Sequence, residues 1–138
     1  MISEEIVHAK IDIIEENLKL LKEISGEGFE SFSKNYRDIQ ATKHSLQEAI
    51  EACLDIGNHI IAEKRLRRAE DYKEIFEIVG EQGIIESNLS KRLQEMAKFR
   101  NLLVHSYGEL DLKRIFGVIS EDLIDIEEYV SSILKVLS

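Results

Sequence analysis

Apolar residues recur every three or four positions in five separate blocks of the chain, and each block reads as the buried stripe of an amphipathic helix. The first block runs from Ser3, a residue suited to cap a helix, to about Ile24, with Val7, Ile11, Ile14, Leu18 and Leu21 in line. Ser25, Gly26 and Gly28 stop it. The second spans roughly Asn35 to Lys64 and carries Ile39, Leu46, Ile50, Cys53, Leu54, Gly57, Ile60 and Ile61 on one side. A glycine in mid-helix costs propensity, so Gly57 predicts close approach by another backbone. A short third helix, about Asp71 to Val79, presents Tyr72, Ile75, Phe76 and Val79 and ends in the loop from Gly80 to Gly83. The fourth begins near Ser87 and reaches about Ser106, where Gly108 is placed to end it. Asp111 can cap the fifth, whose stripe is Leu112, Ile115, Ile119, Leu123, Ile126, Val130, Ile133 and Leu137. Four long helices and one short one with short connections predict an all-α antiparallel bundle, a single domain over residues 1–138.

Composition strengthens this reading. Proline is absent and glycine numbers only 7, so the residues that interrupt helices are scarce. A chain of 138 residues can remove roughly two-thirds of its surface from water, enough for one core. Cys53, the only cysteine, excludes an internal disulfide and a multi-cysteine metal site, and reads as a small buried hydrophobe in a reducing compartment. No basic segment followed by an apolar stretch opens the chain, and no run approaches the roughly 18 uncharged residues of a membrane span, so a soluble, cytoplasmic protein is expected. The net charge of -9 argues against a protein that coats nucleic acid by bulk attraction. Any RNA contact has to be local.

The pattern breaks in the fourth helix. At about 100° per residue, Leu89, Leu93, Met96, Ala97, Leu103 and Val104 share the face that should be buried, and Arg100 lies at its centre. An unpaired guanidinium there is costly, so it must meet a carboxylate, reach water, or line a cleft or subunit interface. Tyr107 lies almost in line with it, one turn separates Asn101 from His105, and Arg100 and His105 differ by about 140° around the axis. One straight helix presents that pair to a single ligand only with difficulty, which favours a composite site across a dimer. A histidine can move protons in phosphoryl transfer, and an arginine can neutralise charge building on phosphate. By spacing alone, the plainer reading of the same residues is favoured: a buried arginine paired with a carboxylate and a histidine at a helix end.

The segment Arg100-Asn101-Leu102-Leu103-Val104-His105-Ser106-Tyr107 resembles the Arg-x4-His-x-Tyr signature of the HEPN superfamily, in its HepT-like branch (domain of unknown function 86). The residues from Leu54 to Ala62, from Tyr72 to Phe76 and from Met96 to Phe99 look like the same family, so the resemblance covers nearly the whole chain. It departs in the stretch from Arg68 to Asp71, which lacks an expected proline. The resemblance implies a metal-independent endoribonuclease that acts as a homodimer, with Arg100 and His105 at the RNA backbone and Asn101 as the polar residue after the arginine. It also implies a partner, a minimal nucleotidyltransferase (MNT-type) antitoxin, which in some members transfers AMP to the motif tyrosine, here Tyr107. A bulky anion beside Arg100 blocks a phosphate site by occupancy and by charge. No cofactor is implied.

Weaker signals remain. Lys64, Arg65, Arg67 and Arg68 form the densest basic run, and Lys91, Arg92 and Lys98 precede the motif; each group suits RNA phosphates, an acidic antitoxin face or plain solvent. Asp55, Asn58 and His59 share the polar face of the second helix, a solvated surface or, by the resemblance, a border of the active cleft or dimer contact. Glu5 and His8 have the Glu-x-x-His spacing of di-iron bundles, but no second such pair occurs, so no metal is expected. His44 has no suggestive company. Two readings compete with the ribonuclease: a non-catalytic nucleotide-binding subunit of a nucleotidyltransferase, and a structural helical oligomer in which Arg100 serves an interface.

Overall fold

The computed structural model describes residues 1–105 and 111–137. It is all-α, in the order α1 (Glu4–Gly26), α2 (Phe29–Lys34), α3 (Tyr36–Glu63), α4 (Tyr72–Glu81), α5 (Ser87–His105), α6 (Leu112–Gly117), a π-helical turn (Val118–Asp122) and α7 (Leu123–Leu137). The last three run on without a break, which makes six helical rods where the hydrophobic pattern predicts five. The addition is α2. Its Gly28 N-cap sits at φ 90°, open to glycine and strained for other residues. Phe32 is fully buried, and its ring lies 5.4 Å from that of Phe116, which takes Phe29 edge-on at 5.6 Å.

The two predicted caps form: Ser3 accepts from the Ile6 N–H at 3.2 Å and Asp111 from Lys113 at 2.9 Å. Asn35, accepting from Asp38 at 3.0 Å, and Asp71, accepting from Glu74 at 2.9 Å, cap α3 and α4 in the same way. The stripe of α1 is buried along its length against α3, while α4 lies on α5 and α7 closes the core. α3 ends with Arg65 in the left-handed region at φ 54°, where the Arg65 and Leu66 N–H groups return to the Ala62 and Ile61 carbonyls at 3.2 and 3.0 Å. This turn aims the chain at α4.

Gly57 is a close-approach position, but its neighbours are side chains and not a backbone. A Cβ there would lie 2.6 Å from Ile75 Cγ2 and 3.1 Å from Tyr129 Oη. Tyr129 is fully buried and donates its hydroxyl to the Cys53 carbonyl at 2.9 Å. Burial pushes ionisation of the Tyr129 phenol and the Cys53 thiol upward, and Cys53 is a free, buried thiol as its apolar neighbours suggest. Among the described residues, no helix is long and apolar enough to cross a membrane.

Candidate functional site

The misplaced arginine of the apolar face sits at the edge of an open groove. α5 contributes Arg100, Asn101, Val104 and His105, and Glu70, Asp71 and Tyr72 at the start of α4 form the opposite wall, around about 640 Å³. Arg100 and His105, a third of a turn and more apart on one helix, thus line a single groove in one chain together with the start of α4. Tyr107 and Gly108 lie outside the described residues.

Arg100 has three neighbours. Its Nη2 donates to Glu51 Oε2 at 3.3 Å, its Nη1 to Asn101 Oδ1 at 3.3 Å, and its guanidinium carbon stands 4.7 Å from the centre of the Tyr72 ring. Its Nε is buried and has no hydrogen-bond partner among the described residues. The contrast with two other arginines is informative. Arg92, half exposed, holds Asp125 at 2.9 Å and Glu128 at 3.1 Å; Arg67, also half exposed, holds Glu81 at 2.8 Å and is bonded to Glu74. Arg100 keeps only 12 % of its side chain exposed, yet its ion pair is the loosest of the three. Charge-assisted bonds favour about 2.7–2.9 Å. Of these three guanidiniums, the one with least access to water is therefore the one held by the longest bonds.

His105 is exposed and ends the described part of α5. The remaining sequence candidates lie elsewhere. Asp55 accepts from Lys10 at 2.8 Å, and His59 Nε2 accepts from the Ser3 N–H at 3.0 Å, so both tie α3 to α1; Asn58 is exposed, and none of the three lines the groove. Of the basic run, Arg67 is taken up by the acidic face of α4, where the hydrogen bonds it donates to Glu81 and Glu74 raise its pKa further; Lys64, Arg65 and Arg68 are exposed. That clamp steadies the loop leading to Tyr72, whose Glu70 N–H also donates to Glu74 at 3.3 Å. Lys98 pairs with Glu95 at 3.0 Å and His44 with Glu48 at 3.1 Å. Among the described residues, no three His, Cys, Asp or Glu side chains converge as metal ligands.

Two residues of the site escape a sequence reading. Tyr72, placed by its spacing on the apolar face of α4, is instead 43 % exposed against Arg100. Glu51 is one of many glutamates, and only the fold brings it to an arginine 49 positions away.

Comparison with known proteins bears on this geometry. The family model Ribonuclease HepT-like matches residues 14–133. The mRNA nuclease HepT of Shewanella oneidensis is 30% identical over 129 residues, which cover 94% of this chain and 96% of that protein. The tRNA nuclease HepT of Aphanizomenon flos-aquae is 26% identical over 128 residues, covering 93% and 87%. The solved structure of a tri-AMPylated Shewanella oneidensis HEPN toxin in complex with MNT antitoxin superposes with a TM-score of 0.89 at 28% identity, covering 97% of this chain and 99% of that one. A matched family model over most of the chain and a fold shared end to end agree with the motif on α5: this chain belongs to the HepT-like ribonuclease family of the HEPN superfamily.

Proposed function

We propose that the chain is a metal-independent endoribonuclease, the cytoplasmic toxin of a HEPN/MNT pair, working as a homodimer with a composite active site. The observation that carries this reading is the under-engaged Arg100, shielded from water, in one groove with His105. In the reaction, the 2′-oxygen of a ribose bonds to the adjacent phosphorus while the bond to the 5′-oxygen breaks, leaving a 2′,3′-cyclic phosphate and a 5′-hydroxyl. Arg100 neutralises the charge that gathers on the non-bridging oxygens. His105 moves protons, from the 2′-hydroxyl or to the leaving 5′-oxygen, and two copies of the chain supply one histidine for each task. Asn101 steadies Arg100 through the contact at Nη1. The test is direct: purified protein is expected to degrade RNA in the presence of EDTA, and Arg100→Ala to lower the rate by about 10²-fold or more with an unchanged circular dichroism spectrum. RNA left intact by the wild-type protein, with nucleotide binding seen by calorimetry, would replace this reading by the nucleotide-binding subunit.

Control of the toxin follows from the same site. An MNT-type nucleotidyltransferase antitoxin transfers AMP from ATP to the Tyr107 hydroxyl with release of pyrophosphate, setting a phosphodiester anion where the RNA phosphate would go. Intact mass of the chain after co-expression with such a partner is expected to rise by whole AMP increments, and Tyr107→Phe to abolish the rise. An increment retained in Tyr107→Phe would move the modification elsewhere.

A further inference from the structure

Two contacts on Arg100 come from helices outside the motif. Glu51, in the middle of α3, meets Nη2 of the guanidinium at 3.3 Å, and the guanidinium carbon lies over the ring of Tyr72, at the start of α4, 4.7 Å from its centre. They restrict different motions. A hydrogen bond in the guanidinium plane opposes rotation about the Cζ–N bonds, and a ring against the face fixes the plane itself. Neither contact uses up the group, since each Nη keeps a second N–H. Glu51 keeps 38 % of its side chain exposed, and it lines a separate cleft with Lys10, His44 and Asp55 while it reaches Arg100 from behind the groove.

We propose that Glu51 and Tyr72 are positioning residues of the ribonuclease site, a holder built by α3 and α4 that presents the free Nη N–H groups of Arg100 to the scissile phosphodiester. The inference rests on the reading of Arg100 as the phosphate-binding group. An arginine kept for fold stability alone would make its best-shielded ion pair its tightest, and the order among Arg67, Arg92 and Arg100 is the reverse. Glu51 also has a second effect of opposite sign. Its negative charge lies 3.3 Å from the guanidinium, so it offsets part of the attraction of Arg100 for a phosphate while it orients the arginine. Orientation acts on kcat and charge acts on KM, which makes the two separable.

Glu51→Ala removes the holder and the charge together. It is expected to lower kcat by about 10- to 100-fold, because small misplacements of a positioning group cost that much, and to leave KM unchanged or lower. Glu51→Gln keeps an oxygen that accepts from Nη2 and loses the charge, so kcat returns to within about threefold of wild type while KM falls. Tyr72→Leu, which removes the ring, lowers kcat in the same sense as Glu51→Ala. The experiment is steady-state cleavage of a single-stranded RNA by each full-length variant, with nitrogen-15 NMR of the Arg100 guanidinium in the absence of RNA. Wild type and Glu51→Gln should show slow Cζ–N rotation, and Glu51→Ala fast averaging. Wild-type kcat in Glu51→Ala, or a freely rotating guanidinium in the unaltered protein, overturns the holder while the ribonuclease reading stands. RNA untouched by the wild-type protein overturns both.

Discussion

Replacing His105 with alanine is expected to slow RNA cleavage by about 10²–10⁴-fold, the range supplied by a positioned general acid or base. Stability should hardly move. The side chain is exposed at the end of α5, and surface changes away from packed features stay within about 0.5 kcal/mol. The pairing of a large kinetic loss with an unchanged melting curve is what separates a proton-transfer role from a structural one. Cleavage by the variant within about threefold of wild type would remove His105 from the mechanism and leave the groove to Arg100 alone. A structural Arg100 gives the opposite signature: Arg100→Met would then preserve or raise the melting temperature and cost no activity.

The second large effect is expected in the core, from one added methyl group. Gly57→Ala gains about 1 kcal/mol of helix propensity, but its Cβ must displace Ile75 Cγ2 from 2.6 Å. Ile75 cannot swing aside cheaply, because a β-branched side chain in a helix has one strongly preferred rotamer. Tyr129, the other neighbour, is pinned by its bond to the Cys53 carbonyl at 2.9 Å. Overpacking of this kind costs about 1–3 kcal/mol, so a net loss is expected, read as a fall of several degrees in the thermal midpoint. Ile75 rides on α4, whose first residue is Tyr72, so a shifted α4 also displaces the ring from Arg100 and lowers activity. A midpoint at or above wild type would mean that α4 yields freely and that Gly57 is no packing requirement.

The long helices were legible because their stripes repeat often enough to fix a phase: α1, α3 and α5 begin and end within a few residues of their predicted bounds. α2 was not, since six residues between the glycine-rich stop after α1 and the Asn35 cap of α3 give too few turns for a period to register. The π-helical turn in the last rod is equally silent, because the apolar spacing from Leu112 to Leu137 stays near 3.6 through it. At the site, Arg100 stood out as a charge on an apolar face, and the structure supplies the reason it is tolerated: a rim carboxylate, an aromatic face and a groove together. The expected difficulty of presenting Arg100 and His105 to one ligand rested on α5 alone. It eases once the start of α4 is seen to wall both. Glu51 could not be found by pattern, because its role depends on where α3 passes α5. Arg67, conversely, read as a candidate for RNA phosphates until the glutamates of α4 were seen to engage it.

The bond between Tyr129 and the Cys53 carbonyl has a practical corollary. The chain holds four tyrosines and no tryptophan, and Tyr129 is wholly enclosed while Tyr36 and Tyr72 stand in solvent. Burial holds its phenol's pKa well above the ordinary value, so its ionisation in alkali is expected to lag behind that of the exposed tyrosines, and the late rise in phenolate absorbance would serve as a label-free signal of core opening.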